Sequence, residues 1–308
     1  MASLGILGNV YILCALASVT FGVIGAFVVA RRIGYLTGAI AHCAFGGVGF
    51  GLWFQQALAN GALGTLALAS LLCGGSSQRG ANLCARVSEK MDPVFIALFF
   101  SALAAMLVDF IRRHAKERNE TLLGALWAIG MAVGLLFLDH VNGYVSTTAY
   151  LFGDVLLVSS RDVWFAAWLG LGVVATVLVN FKRLEAVCFD EEYAQLRGIN
   201  VGLQNRLLLL LTAVTVVLMM RVVGLAMIVA LLTLPAATAA HYAKKLSTMI
   251  AASIAICFVG SLLGVWLSYR LNYSTGPTII LIIALFYALS LLLSRLRIFQ
   301  QNEMNQDA

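Results

Sequence analysis

His42 is the residue of this chain whose type and position most directly suggest chemistry. It lies in AIAHCAFGGVGFG, a few residues inside a long apolar run. If that run crosses a membrane, an ionisable side chain within it is costly and becomes a functional candidate. Neutral imidazole can bind divalent transition metals such as zinc, manganese and iron. The alternative is a histidine that bonds a carbonyl group of a neighbouring helix, and we favour the metal ligand.

Three further candidate ligands flank a second apolar run. Glu120 precedes it, where an acid either stabilises a helix N-terminus or lines an inner cavity. Asp139 and His140 end the run, and a carboxylate beside an imidazole could receive a cation at an entrance. Adjacent residues on a helix face different ways, so joint ligation would require a frayed helix end. An interface cap is the favoured interpretation of Asp139 and His140.

A proline lies in the middle of a third apolar run. Pro235 is found in GLAMIVALLTLPAATAA, where it removes one helix hydrogen bond and predicts a kink. The alanines and threonines around it would allow close helix packing. Both a moving gate and a static kink fit this pattern.

The composition indicates what positions these residues. Of the 308 residues, 61% are hydrophobic and only 11% are charged, whereas soluble domains carry about 25% charged residues. Most of the surface must therefore face lipid. At about 20 apolar residues per span, we predict an all-α, polytopic transmembrane bundle. It would have eight or nine spans and form one transmembrane domain over residues 1–308, with no room for a soluble catalytic domain.

The spans follow the apolar runs, and the basic residues lie between them. With the N-terminus outside and Leu207–Met220 treated as a crossing, 14 of the 20 Lys and Arg residues fall in inside loops, as the positive-inside rule requires. The net charge of +6 thus fits a membrane protein, and no nucleic-acid partner is expected. Arg221 marks either a very tight turn or a position within one long, broken helix. The predicted spans are Gly5–Ala30, Gly38–Leu58, Pro93–Ile111, Thr121–Leu138, Val163–Asn180, Leu207–Met220, Val222–His241, Ser247–Tyr269 and Pro277–Ser294.

Three other segments interrupt this pattern. Gly61–Gly74 and Tyr150–Val158 are apolar but short, so we predict one or two re-entrant segments, with packed surface segments as the alternative. Residues 182–206 form a polar inside loop, in which Asp190 to Leu196 has acids first and Gly198 follows as a C-cap. A short helix on the cytoplasmic face is expected there. An ordinary amphipathic connector is the alternative.

Four blocks of the sequence form a recognisable set, namely GAFVVARRIGYLTGAIAHCAFGGVGFG, ETLLGALWAIGMAVG, AYLFGDVLLVSSRDVW and VVGLAMIVALLTLPAATAA. Together they resemble the zinc/manganese/iron (ABC-3 type) permease family of ABC importers, and the bacterial zinc-uptake permease in particular. The blocks cover most of the chain in the family's order. DEEYAQLRGI, residues 190–199, also resembles the family's cytoplasmic loop, with matches at Ala194 and Gly198.

The resemblance implies ATP-driven import of a divalent metal across the bacterial inner membrane. Zinc is the first candidate, and manganese or iron is the alternative. The metal would be a transported ion, with no permanently bound cofactor. Two permease copies in the lipid would work with an ABC ATPase and an extracytoplasmic metal-binding protein. His42 matches the family's metal-site histidine, and the loop with Glu192, Ala194 and Gly198 would contact the ATPase.

No GxxxxGK[ST] motif is found in the chain, so a separate chain would hydrolyse ATP and this subunit would not be an enzyme. The chain also departs from the family's pattern. Gly38 replaces an Asp four residues before His42, Ala128 replaces a His, and Glu120 stands where the family has Asp. These changes leave the ion preference open.

Three rival functions remain. A secondary, ion-coupled metal transporter would require acids buried in the spans, and almost none are found. A degenerate family member in regulation or assembly is suggested by Gly38 and Ala128. A metal-chelate permease would require a wide aromatic or basic pathway, which the matching blocks do not suggest.

Overall fold

The computed structural model describes residues 2–59, 93–114, 119–141, 151–153 and 159–306. Within these ranges the regular structure is α-helical, with no β-strand. The predicted re-entrant segment Gly61–Gly74 and most of Tyr150–Val158 lie outside the described residues. In chain order the helices are α1 (Ala2–Ala30), α2 (Gly34–Ala59), α3 (Pro93–His114), α4 (Asn119–Asp139), α5 (Ser160–Phe189), α6 (Glu191–Leu196), α7 (Val201–Val223), α8 (Leu225–Ala240), α9 (Leu246–Leu271) and α10 (Thr275–Gln306).

Eight of the described helices are long and apolar enough to cross a membrane, namely α1–α5, α7, α9 and α10. Much of their apolar surface is uncovered by protein. Phe99 and Trp168, for example, are each 66% exposed. Exposed apolar surface of this extent, on helices of this length, is typical of a protein that lies in a membrane. The predicted all-α polytopic bundle is confirmed.

The two apolar helices around Arg221 differ from the predicted spans. α7 starts at Val201, ahead of the predicted Leu207, and so reaches the length of a crossing. α8 has only 16 residues, fewer than the roughly 20 that a crossing requires. The chain breaks at Gly224, where φ is 81° and ψ is 156°, and the backbone of Arg221 continues α7. Of the two predicted alternatives, the structure therefore fits one long, broken helix better than a tight turn at Arg221. The break lies at Gly224 because residues other than glycine avoid this backbone conformation.

The chain forms two compact units. The first, residues 1–37 and 148–308, is arranged around α1, which packs against α5, α7, α8 and α9. Two glycines of α1 allow backbones to approach closely: a Cβ on Gly22 would lie 2.8 Å from the Ile254 nitrogen, and one on Gly25 would overlap the Leu232 carbonyl. Such small-residue contacts are typical of membrane helices. The prediction of one domain over 1–308 stays a prediction.

The second unit, residues 38–147, holds most of α2 together with α3 and α4. α2 and α4 touch through glycines. A Cβ on Gly46 would lie 2.9 Å from the Gly130 oxygen, and one on Gly49 would lie 2.5 Å from the Gly134 oxygen. The glycines after His42 thus bring the backbone of α4 against α2.

Candidate functional site

His42 lies on α2 at this glycine contact. A Cβ on Gly130 would come within 2.8 Å of the His42 carbonyl oxygen, so the α4 backbone passes directly beside it. The His42 Nδ1 atom is buried, and no described residue forms a hydrogen bond with it. A buried ring nitrogen without a partner needs an explanation, and a bound ion is one of the few available. The alternative of a bond from Nδ1 to a helix carbonyl is not found among the described residues.

The His42 ring stacks on Trp127 of α4. The ring centroids are 5.3 Å apart and the planes are inclined by 28°. The indole also lies against Gly38, one turn before His42, where an added Cβ would lie 2.7 Å from Trp127 Cε2 and closer still to Cζ2. Trp127 therefore fills the space that a side chain at position 38 would need. The arrangement gives His42 an aromatic neighbour and no neighbouring carboxylate from position 38.

Trp127 is a site residue that the sequence did not predict. The resemblance singles out Ala128, whereas its neighbour Trp127 is the α4 residue that contacts the imidazole. Consecutive helical residues face different directions, so the two positions cannot substitute for each other. The signal in the sequence is the missing side chain at Gly38, but only the packing of α2 and α4 connects it to Trp127.

Replacing Gly38 by alanine should destabilise the permease. The new methyl group would overlap the indole of Trp127, and overpacking of this kind costs about 1–3 kcal/mol. Unfolding by SDS in mixed micelles would measure the loss. Gly124→Ala, in the same unit, is the matched control because its Cβ would meet nothing within 4 Å. Equal stability of the two variants would contradict the tight fit of Trp127 on Gly38.

The other candidate ligands lie at the two ends of α4. Glu120 is the second residue of α4, and its side chain lies outside the described residues. Asp139 is the last residue of α4, and both Asp139 and His140 are exposed. The His140 Nδ1 atom lies 2.8 Å from the Leu136 oxygen, which turns the ring back onto its own helix. Among the described His, Cys, Asp and Glu residues no three are grouped to hold a metal, so all metal roles here stay predictions.

The predicted short helix is found as α6. The Asp190 side chain accepts a hydrogen bond of 3.0 Å from the Tyr193 amide, as an N-cap does. At the other end Gly198 has φ of 75° and donates to the Gln195 carbonyl, while Ile199 donates to the Ala194 carbonyl. This pair of bonds is a Schellman motif, which requires the left-handed residue that glycine supplies. Gly198 thus ends the helix as the sequence indicates.

The surrounding segment is less of a loop than predicted. Residues 182–189 continue α5, and residues 201–206 already belong to α7. Lys and Arg are good helix formers, so the helix extends beyond its apolar part. Only Asp190 and residues 197–200 separate α6 from its neighbours.

α6 has a buried side and an exposed side. Ala194 is fully buried and packs with Val187 and Val201, while Ile199 covers the same cluster. On the other side Glu192 is exposed, and the Leu196 side chain is 87% exposed. The small alanine lets α6 lie close to α5 and α7, and Glu192 and Leu196 stay exposed on the opposite side.

Pro235 is buried within α8, which continues from Leu225 to Ala240. The hydroxyl groups of Thr233 and Thr238 donate 2.8 Å hydrogen bonds to carbonyls one turn back, those of Val229 and Leu234. The helix is interrupted at Gly224 and not at Pro235. A gating role for Pro235 stays a prediction.

Comparison with known proteins gives related sequences and a related structure. A "Probable metal transport system membrane protein" of Chlamydia muridarum is 32% identical over 280 residues, 91% of this chain and 86% of that protein. "Manganese import system permease protein ScaB" of Streptococcus gordonii is 29% identical over 285 residues, 92% and 90% of the two chains. The solved structure "PsaBC from Streptococcus pneumoniae in complex with Fab" is 26% identical, with a TM-score of 0.74, and covers 92% of this chain and 90% of that chain.

The family assignment follows from a match across nearly the whole chain. Residues 3–78 and 83–294 match the family described as "ABC 3 transport family". Together with the eight apolar helices, this indicates a multi-pass protein of the bacterial inner membrane. The chain belongs to the ABC 3 transport family.

Proposed function

We propose that this chain is the membrane-spanning permease subunit of an ATP-driven importer for divalent metal ions, with zinc as the first candidate. The observation that carries the proposal is His42, whose buried Nδ1 atom has no hydrogen-bond partner among the described residues. The family match supports a transport role. The names of the relatives from C. muridarum and S. gordonii support a metal as the transported ion.

The chemistry around His42 supports zinc. Imidazole binds zinc readily, whereas manganese prefers carboxylate and other oxygen ligands. At the position one turn before His42 there is a glycine, and the space is filled by Trp127. Manganese is the second candidate, because the S. gordonii relative is named as a manganese import permease. Iron(II) is the remaining alternative, because a nitrogen and oxygen ligand set accepts it as well.

In the proposed cycle this subunit performs no hydrolysis. A separate ABC ATPase binds at α6, an extracytoplasmic binding protein delivers the ion, and two permease copies form the pathway. Nucleotide binding and hydrolysis switch the pathway, so that His42 is accessible first from one side of the membrane and then from the other. The exposed Leu196 and Glu192 of α6 support a contact with the ATPase.

Reconstituted transport tests the proposal. The permease, its ATPase and its binding protein would be placed in proteoliposomes, and uptake of Zn²⁺, Mn²⁺ and Fe²⁺ would be measured at equal free concentrations. We expect ATP-dependent uptake with Zn²⁺ favoured by about tenfold, which corresponds to about 1.4 kcal/mol of preference. An ATPase variant that cannot hydrolyse ATP gives the background.

Other outcomes separate the rivals. Preference for Mn²⁺ would support the second candidate. Uptake driven by an ion gradient without ATP would indicate a secondary transporter. ATP hydrolysis without uptake of any of the three ions would contradict the proposal and support a degenerate or metal-chelate permease.

A further inference from the structure

Arg31 is a buried cation at the end of α1. Its side chain is only 7% exposed, although it directly follows the helix and precedes the exposed Arg32. A buried charge is tolerated only when it is paired and hydrogen-bonded. The partners of Arg31 therefore indicate why it is there.

The guanidinium group joins three other helices. Its Nη2 atom lies 2.7 Å from Glu191 Oε1 of α6 and donates a 2.5 Å hydrogen bond to Asn205 Oδ1 of α7. Its Nη1 atom donates a 2.5 Å bond to the Val187 carbonyl near the end of α5. A planar fork with several donors can reach all three at once, which an ammonium group does not do equally well.

These bonds connect α6 to the centre of the first unit. α6 has six residues, too few to be stable alone, so its position depends on what it contacts. Ala194 holds one side of it against Val187 and Val201, and Glu191 ties its first turn to Arg31. α1 packs against α5, α7, α8 and α9. A displacement of α6 would therefore act, through Arg31, on the helix α1 and on the helices that α1 contacts.

We propose that Arg31 is the positioning residue that couples α6 to α1, so that movement of the ATPase at α6 is transmitted to the transmembrane helices. The inference rests on the proposed function, in which α6 contacts the ATPase. Glu191 is 49% exposed on its side chain, so the ion pair lies at the edge of α6 where a partner's approach can strengthen or break it.

The experiment compares Arg31→Met, Arg31→Lys and the matched control Arg32→Met in proteoliposomes with the ATPase and the binding protein. The readout is the number of ions imported per ATP hydrolysed, together with co-purification of the ATPase. We expect Arg31→Met to bind the ATPase but to lower this ratio about tenfold or more, with Arg31→Lys intermediate and Arg32→Met unchanged. An unchanged ratio in Arg31→Met would overturn the proposal, and so would a parallel loss of ATPase binding and transport.

Glu191→Gln keeps the inference testable if Arg31→Met does not fold. Glu191 is half-exposed, and the amide preserves the shape while removing the charge. We expect the ratio of ions to ATP to fall about two- to fivefold, and no change would overturn the proposal.

A second readout, the stimulation of ATP hydrolysis by the binding protein, separates this inference from the proposed function. If wild type is stimulated but imports none of the three ions, the metal function fails, while loss of stimulation in Glu191→Gln would still support the coupling role.

Discussion

Replacing Gly224 by valine should prevent the accumulation of folded permease. Gly224 joins α7 to α8 with φ of 81° and ψ of 156°, a backbone region that is essentially restricted to glycine. Any other residue would cost about 1–3 kcal/mol from this conformation alone. A Cβ at this position would also overlap the backbones of Phe152 and Gly153, so the side chain has no space either.

The neighbours of Gly224 are themselves closely packed. Gly153 itself has φ of 74°, and a Cβ on it would lie 2.5 Å from the Val223 carbonyl carbon. A Cβ on Gly276, in the first turn of α10, would overlap the Phe152 carbonyl oxygen. Three backbone segments thus meet at three glycines. In Gly224→Val the backbone strain adds to a clash with these segments. We therefore expect a loss of folding free energy above about 4–5 kcal/mol, which is exceptional for one substitution.

Membrane extracts and size-exclusion chromatography in detergent would measure this effect. We expect Gly224→Val to be absent from the monodisperse fraction and Gly224→Ala to be reduced. Gly172→Ala in α5 is the control, because a Cβ there would meet nothing within 4 Å, and its yield should match wild type. A Gly224→Val protein that elutes like wild type and keeps its thermal stability would show that residues 151–153 do not lie against Gly224.

The bundle could be predicted from the sequence because lipid imposes a length and a composition on every span. Runs of about 20 apolar residues must be helical, since the bilayer offers no other partner to the backbone. Hydropathy shows where the lipid ends but not where the helix ends. The predicted spans are therefore shorter than the helices: α5 continues past Asn180 to Phe189, and α7 starts at Val201, before its apolar run.

The site could be predicted only where a residue type is informative by itself. An imidazole in an apolar span attracts attention at His42, whereas Trp127 resembles any aromatic residue of a membrane helix. The pair Arg31 and Arg32 illustrates the same limit. Both fit an inside-positive loop, and only the tertiary structure shows that Arg31 is buried among three helices while Arg32 is exposed.

Replacing His42 by alanine should reduce ATP-dependent metal uptake to background. The change removes the one imidazole placed on α2 and leaves Trp127 without its stacking partner. Loss of outer-shell partners alone lowers metal affinity about 10–100-fold. Loss of a ligand should therefore lower metal affinity by about 100-fold or more. His241→Ala is the control, because this histidine already bonds Ser290 Oγ at 3.0 Å and stacks on Tyr287. It should retain uptake close to wild type.

A second variant decides whether His42 acts as a ligand or as a packing group. His42→Phe keeps an aromatic ring against Trp127, and a stack of this kind contributes about 0.5–1.5 kcal/mol. It has no nitrogen to bind an ion. If His42→Phe matches the stability of wild type but imports no metal, the imidazole nitrogen is the essential group. If His42→Phe imports metal at the wild-type rate, the ring serves only to hold α2 against α4, and the ion must bind elsewhere along the pathway.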